Sequence, residues 1–297
     1  MKKRSIRFIV NPFSGVSAKD NINDLIKNNL DLEKNEYDLI FTEGPNHAIE
    51  LARRAVEEHI DMVVAIGGDG TVNEVAAPLL FSDSSLGIIP GGSGNGFAMH
   101  LGIGRKMDQA IKFLNTAKKI TIDTCKVNDE FYINLAGVGF DASVAYFTKQ
   151  SSDRGFKVYF NGAMKEALSY KNKHYKISFD DKVIEDKFLS VNVANASMFG
   201  YNFKIAPLAN LQDGVLDLVM IRDASKARYI TSVWRFLNGS LHKSPIVDIY
   251  KTKSVTIEST SQIHYHRDGE GALYDGKMTY SIVPQSLQLW VPAHYPQ

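Results

Sequence analysis

The first 120 residues or so alternate short apolar runs with amphipathic segments, and this alternation limits the fold more than any other feature. The apolar runs are Arg7–Val10, Tyr37–Phe41, Met62–Ile66 and Leu86–Ile89. The segments between them include a polar helix ending near Leu30 and helical patterns at Asn46–Glu58 and Val72–Leu80. Alternating strands and helices are typical of a parallel sheet covered by helices on both faces. We therefore expect an α/β domain over residues 1–122.

After Thr121 the sequence becomes rich in strand-like segments. These are Phe131–Leu135, His174–Phe179, Phe188–Ala194, Val215–Ile221, Val247–Ile257 and Met278–Val283. Helical patterns occur only near Phe156–Tyr170 and Lys226–Phe236. This pattern predicts an antiparallel β-sandwich as a second domain over residues 123–297, with Leu287–Val291 belonging to either domain. A cleft between two such domains is a common place for a small-molecule site.

Composition and charge exclude several classes of protein. Lys and Arg number 34 and Asp and Glu 33, a net charge of +1, which predicts no general attraction to nucleic acid or acidic lipid. The apolar run Phe8–Val10 is too short for a signal peptide, and no run approaches the roughly 18 apolar residues of a membrane span. We expect a cytoplasmic protein without an integral anchor, in which the single Cys125 is a core residue rather than a nucleophile.

The stretch Gly67–Thr71, GGDGT, joins a buried strand to a helix with three glycines. Glycine allows close approach to the backbone, and the N–H groups at a helix start attract phosphate. Asp69 would repel a phosphate unless it holds a divalent metal. The loop therefore predicts a phosphate site with an associated cation.

A second glycine-rich loop, Pro90–Gly96, follows the fourth strand. Consecutive parallel strands end at the same edge of a sheet, so both loops should meet there, beside the strand exits at Asn11–Gly15 and Thr42–Gly44. Two such loops suggest a polyphosphate ligand. Neither the P-loop pattern nor the G-x-G-x-x-G pattern is present, so the spacing alone indicates an anion site.

Five motifs occur in order along the chain: NPFSG at 11–15, GGDGTVNEV at 67–75, PGGSGNGFA at 90–98, DGVLDLVMI at 213–221 and RDGE at 267–270. Together they resemble the diacylglycerol kinase catalytic-domain family, which includes bacterial lipid kinases, sphingosine kinases and ceramide kinases. The resemblance spans Asn11 to Glu270. It implies an N-terminal Rossmann-like nucleotide domain and a C-terminal antiparallel β-sandwich.

The resemblance also implies the residues of the site. It assigns ATP binding to Asn11, Ser14, Gly15, Thr42, Gly67, Gly68, Asp69, Gly70, Thr71, Asn73, Glu74, Gly92, Ser93 and Asn95. Asp69 would act with Mg²⁺ on the phosphates, and either Asp268 or Glu270 would accept the proton of the acceptor hydroxyl. A structural Mg²⁺ would bind the loop at Asn210, Asp213 and Val215 through the Asp side chain and neighbouring carbonyls.

The function that this resemblance implies is an ATP-dependent lipid kinase that phosphorylates a hydroxyl of a diacylglycerol-like or sphingoid lipid. It would contact the membrane peripherally and bind no nucleic acid, and a homodimer is left open. Two alternatives remain: a kinase of a soluble acceptor such as NAD, and a nucleotide-binding regulator without turnover. The intact acids Asp69, Asp268 and Glu270 count against the regulator.

Two segments depart from the pattern or have a second interpretation. Bacterial diacylglycerol kinases read GT-x-N-D-F-A-R at the second loop, where this chain has Gly96 for the acid and Met99 for the Arg, and its GSGN run is closer to sphingosine and ceramide kinases. Asp268–Gly269 alone predicts a hairpin turn.

Histidine and aromatic side chains outside these motifs suggest weaker sites. His264 and His266 alternate with Asp268, and we expect half-exposed strand histidines there rather than a metal site. Phe147, Phe156, Tyr159 and Phe160 accompany Arg154 and Lys157, a mixture suited either to a membrane interface or to a core-facing helix.

Overall fold

The computed structural model describes residues 2–15, 21–149, 161–163, 166, 167 and 169–295. The chain divides into two compact units, Met1–Ile122 with Gln285–Gln297, and Asp123–Pro284. The C-terminal segment Leu287–Val291, which the sequence left open between the domains, therefore belongs to the first unit.

The first unit contains a parallel sheet with strand order β15-β4-β3-β1-β2. Its strands are β1 (Arg4–Val10), β2 (Asn35–Phe41), β3 (Met62–Gly67), β4 (Ser85–Pro90) and the end of β15 (Lys277–Val291). Every residue of β3 and β4 is buried, as expected for apolar strands covered on both faces. The predicted α/β domain is confirmed.

Helices follow the strands of this sheet. They are α1 (Ile22–Asn29), α2 (His47–Glu57), α3 (Asp69–Ala76), α4 (Gly96–His100) and α5 (Met107–Phe113). α1 packs with α5, and α2 packs with α3. Right-handed crossovers place α1 on one face of the sheet and α2 and α3 on the other. β2 lies on one side of β1 and β3 on the other, so the order in which strands are added to the sheet reverses at β1. Ligands of α/β sheets bind at such a point, outside the carboxyl ends of the strands.

The second unit is built of antiparallel strands. They are the end of β5 (Lys118–Val127), β6 (Glu130–Tyr132), β7 (Leu135–Gly139), β8 (Lys173–Phe179), β9 (Lys182–Ala194), β10 (Leu216–Arg222), β11 (Val247–Thr252), β12 (Ser254–Glu258), β13 (Ile263–Arg267), β14 (Glu270–Tyr274) and the start of β15. Helices α6 (Phe140–Lys149) and α7 (Lys226–Asn238) belong to this unit. The 13-residue strand β9 pairs with β8 through its first half and with β7 and β10 through its second.

The core of the second unit lies between these strands. Its largest fully buried side chains include Tyr132, Tyr175, Tyr280 and Phe188. Cys125 is also fully buried there, and burial raises the pKa of its thiol, so its prediction as a core residue is confirmed. The predicted β-sandwich is confirmed.

Several predicted elements have different bounds in the structure. The predicted strand Phe131–Leu135 is divided between β6 and β7, and Val247–Ile257 is divided between β11 and β12. The helix predicted from Val72 begins at Asp69. Of the predicted helix Phe156–Tyr170, residues 161–163, 166, 167 and 169 are helical, and most of the rest lies outside the described residues. Within the described part of the chain, no helix is long and apolar enough to cross a membrane.

His100 makes the stability of the first unit depend on pH. Its ring stacks on Phe97, Nε2 lies 3.2 Å from the Tyr295 hydroxyl, and burial lowers the pKa of His100 to about 4. Below the unfolded pKa of about 6.5, the unfolded chain gains a proton that the folded protein binds only near pH 4, so stability is lost as the pH falls between these values.

We expect the free energy of unfolding to be about 1–2 kcal/mol lower at pH 5 than at pH 7 because of His100. Urea unfolding of the wild type and His100→Gln at both pH values measures this. The variant should lose less stability than the wild type on acidification; an equal loss would exclude His100 as the cause.

Candidate active site

Three loops extend the parallel sheet at its carboxyl edge. The Asn11 N–H donates to the Ile66 carbonyl at 3.0 Å, and the Gly91 N–H donates to the Gly67 carbonyl at 2.7 Å. Asn11 Nδ2 also donates to Thr71 Oγ1 at 3.0 Å, which connects the loop after β1 to the first turn of α3. The loops after β1, β3 and β4 therefore form one connected surface, at the point where the strand order reverses.

The glycines of these loops allow the loops to pack against one another. Gly15 has φ +68°, and a Cβ there would lie 1.8 Å from the Gly91 carbonyl oxygen. A Cβ on Gly92 would lie 2.5 Å from the Cα of Gly68. Real Cβ atoms do not approach backbone atoms this closely. Glycine is therefore required at these positions by contacts between the loops themselves, whether or not a ligand is bound.

Asp69 joins the two glycine-rich loops. Its carboxylate oxygens accept the N–H groups of Gly96 and Phe97, each at 3.0 Å, and thus cap the start of α4. An acid at a helix N-terminus is favourable because it meets unsatisfied N–H groups and the positive end of the dipole. Gly96, where the sequence departs from the pattern that it resembles, is one of the two donors.

The other predicted nucleotide residues of the first unit lie around this surface. Asn95 closes the second loop by accepting the Gly92 N–H at 2.9 Å and donating to the Gly92 carbonyl at 2.7 Å. The buried Ser14 donates to the Asn11 carbonyl at 3.2 Å. Gly70 and Asn73 are half-buried in α3, Ser93 is exposed, buried Thr42 continues β2, and Glu74 accepts the Asn46 N–H at 3.3 Å.

In the second unit, Asp268 and Gly269 form the turn between β13 and β14. Their φ values of +48° and +85° are those that a two-residue type I′ hairpin requires. The Asp268 carboxylate accepts three backbone N–H groups, from Ile133 at 2.9 Å, Asn134 at 2.9 Å and Leu135 at 3.1 Å. This interaction interrupts the strand predicted over 131–135, because those N–H groups bond to a side chain. The buried Asp268 thus has a structural role.

Glu270 follows the turn and is exposed at the start of β14. Its cross-strand partner is Arg267, whose guanidinium lies 3.4 Å from the Glu130 carboxylate. The two candidate proton acceptors therefore differ in environment: Asp268 is buried and held by the backbone, and Glu270 faces solvent.

His266 corrects an expectation from the sequence. Its side chain is 1% exposed, with Nε2 2.8 Å from Asp141 Oδ2, whereas His264 is half-buried beside Tyr146 at a ring distance of 4.8 Å. The expectation of a half-exposed histidine holds for His264 and is wrong for His266. No cluster of three or more His, Cys, Asp or Glu side chains suited to a metal occurs in the described part of the chain.

The pairing of His266 with Asp141 arises from close packing of α6 on the hairpin. A Cβ on Gly271 would lie 2.2 Å from the Tyr146 backbone nitrogen, so glycine lets the helix approach β14. Gly139 has φ +113° immediately before α6. The sequence analysis did not single out Asp141, because its pairing with His266 depends on a contact in three dimensions that no local pattern contains.

The predicted magnesium loop carries oxygen donors that already have partners. Asp213 Oδ2 lies 2.6 Å from Lys251 Nζ, and Asn210 Oδ1 accepts the Gln212 N–H at 3.0 Å. The Val215 N–H donates to Asp213 Oδ1 at 3.3 Å. Oxygen ligands suit Mg²⁺, but a cation here would compete with Lys251 for Asp213. The magnesium site stays a prediction.

The aromatic cluster suggested for membrane contact falls mostly outside the described residues, which exclude Arg154, Phe156, Lys157, Tyr159 and Phe160. Phe147 is 48% exposed and lies 5.5 Å from the His264 ring, measured between ring centroids.

The contact between Gly68 and Gly92 predicts that Gly92→Ala separates the two loops. Overpacking of this kind costs about 1–3 kcal/mol, which urea unfolding would detect. Gly44→Ala is the matched control, because nothing lies within 4 Å of a Cβ there, and we expect a change below about 0.5 kcal/mol. Equal effects of both substitutions would contradict the packing explanation.

The His266–Asp141 pair predicts a cost for removing one partner. His266→Leu leaves the buried Asp141 carboxylate without its histidine partner. The free energy of unfolding should fall by about 1–3 kcal/mol, or by up to about 5 kcal/mol if the pair is ionised. His264→Leu should change it by less than about 1 kcal/mol. The double variant His266→Leu/Asp141→Leu should recover stability, and additive losses would refute the coupling.

Two domain families match this chain, one after the other. Residues 5–127 match the diacylglycerol kinase catalytic domain, and residues 134–291 match the YegS C-terminal NAD kinase beta sandwich-like domain. Residues 5–127 include the three loops, and residues 134–291 include the DGE hairpin.

Related proteins cover nearly the same length. A diacylglycerol kinase of Staphylococcus saprophyticus is 30% identical, over 98% of this chain and 96% of its own. A probable lipid kinase YegS-like protein of Chromohalobacter salexigens is 29% identical, over 82% and 80%. A putative diacylglycerol kinase from Bacillus anthracis shares the fold, with a TM-score of 0.78 at 22% identity over 100% and 99% of the two chains. With its five motifs, its two units and these matches, the chain belongs to the diacylglycerol kinase catalytic-domain family.

Proposed function

We propose that this protein transfers the γ-phosphate of ATP to a hydroxyl group of a membrane lipid. The observation that carries the proposal is the connected surface of three loops at the strand-order reversal of the parallel sheet, in a chain whose relatives are named as diacylglycerol and lipid kinases.

The geometry of the loops supports phosphate binding. The first turn of α3 begins at the glycine-rich loop, so its N–H groups and the positive end of its dipole favour an anion. Asp69 is directed to the Gly96 and Phe97 N–H groups, which lowers its repulsion of a phosphate. Mg²⁺ bound with ATP would neutralise the charge of the phosphates, and Asp69 is the acid of this loop that would hold it.

The acceptor hydroxyl needs a group that orients it and takes its proton. As its oxygen attacks the γ-phosphorus, the bond to the β–γ bridging oxygen breaks and ADP leaves. Asp268 and Glu270 are the proposed proton acceptors. Asp268 has a buried carboxylate held by backbone N–H groups, and Glu270 has an exposed one.

A lipid acceptor implies peripheral membrane contact and no need for nucleic acid. The names of the relatives favour diacylglycerol. The GSGN run and Gly96 favour testing sphingoid lipids beside it. Magnesium, ATP and a lipid hydroxyl are thus the proposed reactants.

The test measures transfer of labelled γ-phosphate from Mg-ATP to diacylglycerol, monoacylglycerol, sphingosine, ceramide and phosphatidylglycerol in mixed micelles, with NAD as the soluble acceptor. We expect one labelled lipid class. Asp268→Asn and Glu270→Gln are assayed in parallel, and the proton acceptor should lose at least a hundredfold in kcat while ATP affinity changes little.

Because the Asp268 carboxylate also accepts the backbone N–H groups of residues 133–135, its variant needs a folding control. Thermal unfolding of Asp268→Asn separates lost chemistry from lost structure, and Gly92→Ala should weaken ATP binding instead of the proton transfer. A labelled NAD product would show that the acceptor is a soluble molecule and not a lipid. ATP binding without any product would make the protein a regulator.

A further inference from the structure

Helix α7 (Lys226–Asn238) is apolar on two faces. One face holds the helix to its unit: Ser232 Oγ lies 3.0 Å from Ser244 Oγ, and the Tyr229 hydroxyl accepts the Ala224 N–H at 2.8 Å. Phe236 packs against the buried residues around Leu241. Tyr229, Ser232 and Phe236 are three or four positions apart and therefore lie on one face of the helix, the face that contacts the rest of the unit.

The outward face carries large apolar side chains that the unit does not cover. Ile230 is 71% exposed, Val233 47%, Trp234 69% and Leu237 37%. Their spacing places them side by side over two turns of the helix. They form the densest group of exposed large apolar side chains in the described part of the chain. A continuous exposed stripe of this kind marks an interaction site.

The segment of sequence that carries this stripe is basic. Residues 224–247 contain no Asp or Glu but carry Lys226, Arg228, Arg235 and Lys243, in a chain whose net charge is only +1. Within the described residues, none of these four cations forms an ion pair. Arg222, just outside the segment, is by contrast paired with Asp248. The segment therefore has unneutralised cations beside an apolar stripe.

An apolar stripe beside cations favours one of two partners for this helix, a second copy of the chain or an anionic bilayer. A second copy meeting this face across a two-fold axis would bring the same four cations against themselves, with no acid in the segment to offset them. An anionic bilayer supplies both an apolar interior and phosphate groups, and amphipathic helices with Trp, Leu and basic residues lie at such surfaces.

We propose that α7 is a membrane-docking helix, in which Ile230, Val233, Trp234 and Leu237 enter the surface of an anionic bilayer and the four cations contact lipid phosphates. The helix would bring the protein to its acceptor, and to that extent the inference rests on the proposed function. Vesicle binding itself needs no nucleotide or turnover, so the two ideas can fail separately.

The test is sedimentation of the full chain with vesicles of phosphatidylcholine alone or mixed with phosphatidylglycerol. We expect binding to the mixed vesicles that weakens with salt, and a blue shift of Trp234 fluorescence. Ile230→Gln/Trp234→Gln should reduce binding at least tenfold, and Arg228→Gln/Arg235→Gln should remove much of the salt dependence. Val183→Gln, at a residue 63% exposed on β9, is the matched control and should bind as the wild type does.

Unchanged vesicle binding by Ile230→Gln/Trp234→Gln would overturn the proposal. So would sedimentation showing that these substitutions only separate a dimer, which would make the stripe a subunit interface. In kinase assays, the same variant should lose activity on vesicle-embedded lipid and keep it on a short-chain, water-soluble lipid. If the wild type binds vesicles through α7 but phosphorylates no lipid, docking stands and the proposed function fails.

Discussion

Backbone contact between the three loops at the carboxyl edge of the parallel sheet is the constraint on which the rest of the first unit depends. Gly15 approaches Gly91, and Gly92 approaches Gly68, at distances that no side chain permits. The contact holds the start of α3 beside the start of α4, so their N–H groups are oriented before any ligand arrives. A preorganised site of this kind loses less conformational freedom on binding.

Asp69 and Asp268, two of the acids proposed for catalysis, each accept backbone N–H groups. Asp69 accepts the N–H groups of Gly96 and Phe97, and Asp268 accepts those of residues 133–135. A carboxylate fixed in this way has a defined direction, which favours chemistry that needs exact placement. Loss of such an acid would remove both a negative charge and the hydrogen bonds that hold the neighbouring backbone.

The sequence was sufficient where local periodicity decides structure. The strands before residue 90 and α7 were predicted within a few residues because their apolar spacing is regular. The edge position of the loops followed from the geometry of parallel strands. The break between β6 and β7 could not be predicted, because it depends on Asp268 more than 130 residues away. The burial of His266 likewise depends on α6 approaching Gly271, a tertiary contact that no local pattern contains.

The last strand of the first unit's sheet comes from the far end of the chain. Leu289 pairs with Leu86, Trp290 Nε1 donates to Ser85 Oγ at 2.6 Å, and the Phe81 N–H donates to the Ser286 carbonyl at 2.8 Å. During synthesis, β4 therefore leaves the ribosome long before its outer neighbour exists. An open strand edge is prone to wrong pairing. The outer edge of β4 therefore stays unpaired until Leu289 has been translated, and a chain interrupted before Lys277 would lack the strand that β15 supplies to each unit.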